Sequence, residues 1–296
     1  MSSLTSALPP AQGTGARLAR WGLYLILALF AAYYLLPLLL MIATSFKSPE
    51  EIRTGSLLSL PRELSLDAWS YAWNRACIGA DCRGMAPYFL NSVAIVVPSV
   101  VLSTLFGALN GYALTKWRFR GANIVFAMIL FGSFLPSQVI LLPMARTLGV
   151  LGLAGSTGGL VLVHVVYGLA FTTLFFRNYY VSIPDDLVKA ATIDGAGFFQ
   201  IFTKIMLPLS LPILVVTIIW QFTQIWNDFL FGASFAAGGA QPVTVALNNL
   251  VNTTTGVKQY NVDMAAAMIA GLPTLVVYVL AGKYFIRGLT AGSVKG

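Results

Sequence analysis

Six stretches of this chain run without Asp, Glu, Lys or Arg for long enough to cross a bilayer: 21–46, 84–115, 121–145, 147–176, 205–227 and 264–282. Each is at or near the roughly 20 residues with which a helix traverses about 30 Å of hydrocarbon. A mean hydropathy of +0.80, with 9% charged residues, excludes an ordinary soluble domain, about half of whose surface must meet water. The expectation is an all-α membrane protein with six transmembrane helices. A seventh uncharged run, 229–257, contains "GGAQPVTVALNNLVNTTTG". Its Gly, Pro, Asn and Thr are too costly to bury in lipid, so 232–262 is read as an exposed loop.

Charge sets the orientation. With the N-terminus cytoplasmic, the inner segments hold Arg17, Arg20, Lys116, Arg118, Arg120, Arg177, Lys189, Lys204, Lys283, Arg287 and Lys295 against Asp185, Asp186 and Asp194. The outer segments balance, so the chain's whole net charge of +8 lies on one side. The basic balance therefore reports topology and anionic lipid headgroups, not nucleic acid. Both termini are expected in the cytoplasm.

The chain orders itself as a disordered tail (1–16, with Pro9-Pro10), a first span (17–46), an outer loop (47–87), a five-helix core (88–286) and a tail (287–296). The first apolar run is too long for a cleaved signal core and is expected to stay as a span. Gly132, Pro136 and Pro143 predict a bent or broken third span. No internal repeat is visible. Cys77 and Cys82 fall in the outer loop, where an oxidising compartment permits a disulfide; two free thiols are the alternative. A zinc site lacks further ligands nearby.

The longest inner segment, 178–208, has helix grammar. Ser182 followed by Asp185 suggests a capping box, and Asp185 and Asp186 suit the positive end of a helix that starts at Pro184. Leu187, Ala190 and Ala191 share a face at helical spacing, and Asp194-Gly195 ends the helix. A second helical piece, 198–206, leads to Pro208 and the fifth span. The reading is a short helix across the cytoplasmic side with small residues offered to a partner; a solvated loop is the bland alternative.

At these residues the chain resembles the permease subunits of ATP-binding-cassette importers, whose signature loop reads EAA…G…I.LP. Here it stands as Lys189-Ala190-Ala191, Asp194-Gly195 and Ile205-Met206-Leu207-Pro208. Further matches are "TSFK" at 44–47, "FLNSVAI" at 89–95, "GYALTKWRFRG" at 111–121, "WNDF" at 226–229 and "YFIRGLTAGSVKG" at 284–296. Within the carbohydrate importers of maltose-permease type, "TQIWNDFLFG" and "VALNNLVNTTTGVKQYNVDMAAA" are most similar to glucose/mannose permease subunits.

The resemblance implies the type I importer fold, in a bacterial inner membrane. It also implies a complex with a second, paralogous permease, two cytoplasmic ATPases that bind the ATP and Mg, and a periplasmic sugar-binding protein. The short helix would be the coupling helix, with Asp185, Leu187, Lys189, Ala190, Ala191, Asp194, Gly195 and Ala196 meeting an ATPase. The C-terminal tail would reach toward the ATPases, and 232–262 toward the binding protein. Lys189 stands where the family motif has glutamate, so the partner ATPase is expected to offer an acidic or neutral group there.

The chain carries no phosphate-cradling loop: Gly282-Lys283 lacks the upstream glycine and the following Ser or Thr. No catalytic pair, metal set or cofactor motif is apparent, so a transport subunit is expected, not an enzyme. The lone histidine, His164, is read as a packing residue or a pathway residue, without a second ionisable partner at its depth. Thr217, Gln221, Gln224 and Asp228, spaced 4, 3 and 4, form one polar stripe on the fifth span, near Trp220, Phe222 and Trp226. Amides beside aromatic rings suit an uncharged polyhydroxylated solute, and amides also join transmembrane helices to one another. A different class, an ion-coupled carrier or channel acting without an ATPase, is disfavoured by the missing midplane charges.

Overall fold

The computed structural model describes residues 14–293 apart from 57, 118 and 254–256, and for 14, 16, 133 and 283–293 it describes the backbone only. The expected 1–16 tail lies outside the described residues up to the start of the first helix, as do residues 294–296 and the side chains of the C-terminal tail.

Fourteen α-helical segments carry the described chain: α1 (Thr14–Ser45), α2 (Pro49–Thr54), α3 (Asp67–Asn74), α4 (Ala86–Lys116), α5 (Ala122–Ser133), α6 (Ser137–Val150), α7 (Thr157–Val181), α8 (Asp185–Ile193), α9 (Phe198–Ile201), α10 (Leu207–Leu209), α11 (Leu211–Trp226), α12 (Leu230–Phe235), α13 (Val243–Val251) and α14 (Tyr260–Ser293). A π-helical turn, Phe202–Met206, joins α9 to α10. Among the described residues there is no strand; Ile78–Asp81 and Gly155–Ala236 form isolated bridges.

Four helices are long and apolar enough to span a membrane by themselves, over Arg17–Ser45, Ala86–Lys116, Thr157–Val181 and Tyr260–Gly282. Two bent pairs bring the number to six. Ala122–Gly132 meets Ser137–Val150 at 101°, where Pro136 sits in the break predicted for the third span. Phe198–Leu209 meets Leu211–Trp226 at 80°. The fifth span is therefore bent near its start, with its long straight part over Leu211–Trp226. The corner falls at Ser210, whose hydroxyl is held by the Met206 carbonyl and lies 2.8 Å from the Tyr180 hydroxyl oxygen.

α4 and α7 form the spine. Their crossing is close because Gly107 and Gly111, one turn apart on α4, present no side chain to α7. A Cβ at Gly107 would lie 2.3 Å from Thr172 Oγ1, and one at Gly111 2.8 Å from the Arg177 backbone nitrogen. Asn110 adds a side-chain hydrogen bond to Thr173 at 3.3 Å. At one end of this spine a large core gathers Met85, Tyr88, Leu148, Leu160, Trp226, Val243 and Ala265. At the other end a smaller core gathers Ala108, Tyr112, Phe176, Tyr180, Ile201, Phe202 and Met206.

The expectation of an exposed loop over 232–262 is overturned. α12 and α13 fill it, and Val243, Val245, Ala246 and Leu250 of α13 are buried. Asn248 and Asn252 are exposed, the Thr244 hydroxyl donates to the Asp228 carbonyl, and the buried apolar residues come from one short helix. α13 is pinned to α4: the Val243 amide donates to Ser92 Oγ at 2.8 Å, and Asn91 donates to the carbonyls of Gly239 and Gln241. The segment before α4 is likewise structured, with α2 and α3 and a Cys77–Cys82 disulfide.

Candidate functional site

Two places concentrate the residues singled out from the sequence: a cavity between α7 and α11, and the short helix α8.

The cavity has a volume of about 270 Å³ and is lined by His164, Tyr167, Gly168, Phe171, Trp220, Gln221, Gln224, Ile225, Asp228 and Phe231. Four of the five residues expected on a pathway thus share one space. Thr217 does not: it is fully buried and its hydroxyl donates to the Ile213 carbonyl of its own helix, 2.8 Å away. Gln221 serves both readings of its amide. It borders the cavity and also donates through Nε2 to Ser103 Oγ of α4 at 2.8 Å. Gly168 makes room for it, since a Cβ there would sit 2.1 Å from Gln221 Nε2. Gln224 is exposed, its amide unburied by the chain itself.

His164 does have an ionisable neighbour, contrary to expectation. Its Nε2 lies 3.8 Å from Asp228 Oδ2, and both side chains are largely buried. The chain turns back after α11, which brings Asp228 down onto α7. The same carboxylate caps α12 by accepting from the Phe231 and Gly232 amides. The aromatic neighbours also sort differently. Trp220 lines the cavity and packs against Phe171 and Phe175. Phe222 stacks on Trp226 instead, and Trp226 donates to the Ala270 carbonyl within the large core. Tyr167, Phe171 and Phe231 escaped sequence reasoning. His164, Tyr167, Gly168 and Phe171 nonetheless stand at the i, i+3, i+4, i+7 spacing that marks one helix face.

α8 ends as its sequence suggests. Gly195 has φ of 83°, Gly195 N donates to the Thr192 carbonyl and Ala196 N to the Ala191 carbonyl, which is a complete Schellman turn. Its start differs. α8 has Pro184 at its N-cap and no side-chain cap, so Ser182 stands too far back for a capping box. Its hydroxyl donates instead to the Tyr179 carbonyl and closes α7. The predicted face also splits: Ala191 packs inward with Val188 and Ala196 on the smaller core, while Leu187 and Ala190 are exposed. Ile193 and Phe199 add apolar surface, at 86% and 69% exposure. Lys189 points outward and pairs with Asp186 of its own helix at 3.1 Å. Asp194 is exposed at the C-cap.

The start of α8 is secured from α4. Lys116, its side chain only 4% exposed, reaches Asp185 Oδ1 at 2.7 Å and the Ile183 carbonyl. Sequence reasoning assigned Lys116 only to the basic inner turn. The 69 residues between the partners exceed any spacing rule.

The fold and these two places describe a helical membrane-spanning transport subunit. Residues 99–289 match the model of the binding-protein-dependent transport system inner membrane component, and the chain belongs to that family. It is 41% identical to a probable ABC transporter permease protein of Pyrococcus horikoshii over 94% of this chain and 98% of that one. It is 31% identical to a xylose/arabinose import permease protein of Haloferax volcanii, over 92% of each. Its fold is similar to that of a chain from a bacterial ABC transporter involved in the import of the acidic polysaccharide alginate. That match has a TM-score of 0.80 at 24% identity and covers 94% of this chain and 100% of the other. The chain is accordingly an ABC transporter permease, a transport subunit rather than an enzyme.

Proposed function

We propose that this chain is half of the translocation pathway of an ATP-driven importer of neutral sugars, of glucose/mannose type, in the inner membrane with both termini cytoplasmic. It works with a paralogous second permease, two ATPases that bind ATP and Mg, and a periplasmic sugar-binding protein. α8 is the coupling helix, and its exposed Leu187, Ala190, Ile193 and Phe199 are the surface offered to one ATPase. α1, none of whose apolar window is buried by the rest of the chain, is the surface offered to the second permease.

The observation that carries the sugar reading is the α7–α11 cavity. It combines two neutral amides and an imidazole with Trp220, Tyr167 and Phe171, and its one carboxylate is already engaged by backbone amides. Neutral donors and acceptors beside flat apolar rings fit a solute that is uncharged, rich in hydroxyls and partly apolar on its faces. Several relatives are named for saccharides, among them a diacetylchitobiose uptake permease of Streptomyces coelicolor. The glucose/mannose assignment rests on the motifs at 223–232 and 245–267.

The test is uptake by the reconstituted complex. Labelled glucose is expected to enter in a vanadate-sensitive manner and to be displaced by mannose but not by xylose. Gln224→Ala is expected to lower uptake about five- to tenfold, the loss of one or two neutral hydrogen bonds in the favoured state. Unchanged uptake and unchanged sugar preference in Gln221→Ala/Gln224→Ala would remove the pathway assignment, and uptake by this chain without an ATPase would remove the importer assignment.

A further inference from the structure

α4 reaches both functional places with side chains of its own, while α7 lines the cavity and runs on into α8 through the chain. Near its middle Ser103 accepts the hydrogen bond of Gln221 at the cavity, and at its last residue Lys116 holds the entry to α8. The thirteen residue steps from Ser103 to Lys116 make about 20 Å of continuous helix. That stretch includes Gly107 and Gly111, where α4 is pressed against α7 without intervening side chains. The two helices therefore shift together or not at all, because a close-packed contact has no slack in which to slide.

Lys116 occupies an unusual position for a cation on the edge of a membrane helix. It is buried, it bonds both the last carbonyl before Pro184 and the carboxylate of the first residue of α8, and it does so at the start of a short helix that also meets the spine through Val188 and Ala191. A second fastening lies beyond the Gly195 turn. Phe198 packs on Tyr112, with ring centroids 4.8 Å apart, and on Trp117 at 5.0 Å. α8 is thus strapped to the end of α4 on both of its sides, polar at its start and aromatic after its end.

We propose that Lys116 is a positioning residue that turns displacement of α8 into displacement of α4, and so delivers it to the Gln221 side of the cavity. This rests on α8 being the surface that an ATPase moves. When the ion pair is present, a pull on α8 loads α4 directly. When it is absent, α8 is held less tightly at its start, less of its movement reaches α4, and the cavity is left behind.

The test uses the complete complex in nanodiscs with Gln224→Cys as a reporter; the native cysteines are bonded to each other and do not compete for label. The reporter's reaction rate with a water-soluble maleimide is compared between the resting and the vanadate-trapped complex, and a change of about tenfold is expected with Lys116 intact. In Lys116→Met the ATPases are expected to copurify and trap vanadate as before, while the change at residue 224 shrinks to less than about twofold. Lys116→Arg, which keeps the charge and several donors, is expected to restore it. The proposal is overturned if Lys116→Met retains the full change, or if Lys116→Met and Lys116→Arg both lose the ATPases, which would make the residue a part of the fold only. Leu187→Asp separates this from the premise: if that variant still binds the ATPases and traps normally, α8 is not the coupling surface and the proposal falls with it.

Discussion

The two ends of the α4–α7 spine are built to different specifications. At the end near Cys77 and Cys82, α3, α13 and the start of α14 wrap a large core, and side chains from distant segments cross-tie it: Asn91 to Gly239 and Gln241, Ser92 to Val243, Asn261 to Lys47. At the other end, seven buried residues form a small core, and α8 lies over it without a single buried side chain of its own. The first end is fixed by burial from several directions. The second is fixed by a few specific fastenings around a helix that stays largely on the surface. A membrane protein that must be moved from outside needs such an asymmetry, because force applied to a surface helix is useful only if the far end does not deform first.

The comparison is most exposed to a change in the small core. Tyr112 is fully buried there and carries Phe198 and Phe202 on its ring. Tyr112→Ala is expected to cost about 3 to 5 kcal/mol, the range for removing a large buried ring, and to release α9 before the rest of the chain unfolds. Thermal unfolding together with amide exchange over 185–206 measures both parts. Because the Tyr112 hydroxyl is buried without a partner among the described residues, Tyr112→Phe is expected to be neutral or stabilising.

At the opposite end, the disulfide closes a loop between positions only five apart. Replacing Cys77 and Cys82 by Ser is expected to cost about 2 kcal/mol by loop-closure entropy, seen as a lower Tm, with little change at α8. A loss of ATPase binding in that variant would mean that the two ends are not separable.

Smaller still is a local acid sensitivity. The Arg62 amide, then the Ser48 amide, bond the Glu51 carboxylate and hold its pKa below the ordinary glutamate value of 4.5. A carboxylate lowered on folding stabilises the fold above its unfolded pKa and ceases to do so as pH falls through the lowered value. Amide protection over 48–62 is therefore expected to be constant at neutral pH and to fall in acid below about pH 4.5, and Glu51→Gln to abolish that dependence. The smallest expected effect is at Lys189, whose pairing with Asp186 is exposed: Lys189→Ala is expected to leave Tm unchanged. Any consequence of Lys189→Glu is expected in coupling alone, as reduced transport-linked ATPase activity with the native partner. An increase would break the idea that the partner offers an acidic or neutral group there.

The parts legible in the sequence were those that obey one-dimensional rules. Hydrocarbon tolerates no charge, so the runs marked the spans, and Pro136 marked the broken one. Gly195 was legible because only a residue at ease with positive φ ends a helix that way. The spacing of Gln221 and Gln224 placed them together because the helix carries that spacing directly into space. What escaped depends on chain reversal. α13 was masked because its buried Val243, Val245, Ala246 and Leu250 alternate with Thr and Asn in a run that also holds Gly and Pro. The approach of Asp228 to His164 comes from the turn after Trp226, and the grip of Lys116 on Asp185 from the packing of α4 on α7. Neither can be read from a neighbourhood of a few residues.

The first helix has a consequence of another kind. Its apolar span, Arg17–Ser45, is 29 residues, or about 44 Å of helix against about 30 Å of hydrocarbon. No side chain of its apolar window is buried by the chain; it is held toward its far end, where residues 40–45 are partly or fully buried, the helix meets α14 and Ser45 accepts from the Trp69 indole. Such a rod has to tilt, curve or protrude, and its own subunit does not decide which. Bilayer thickness and lipid composition are therefore expected to bear on the pose of this helix more than on that of any span packed in the α4–α7 spine.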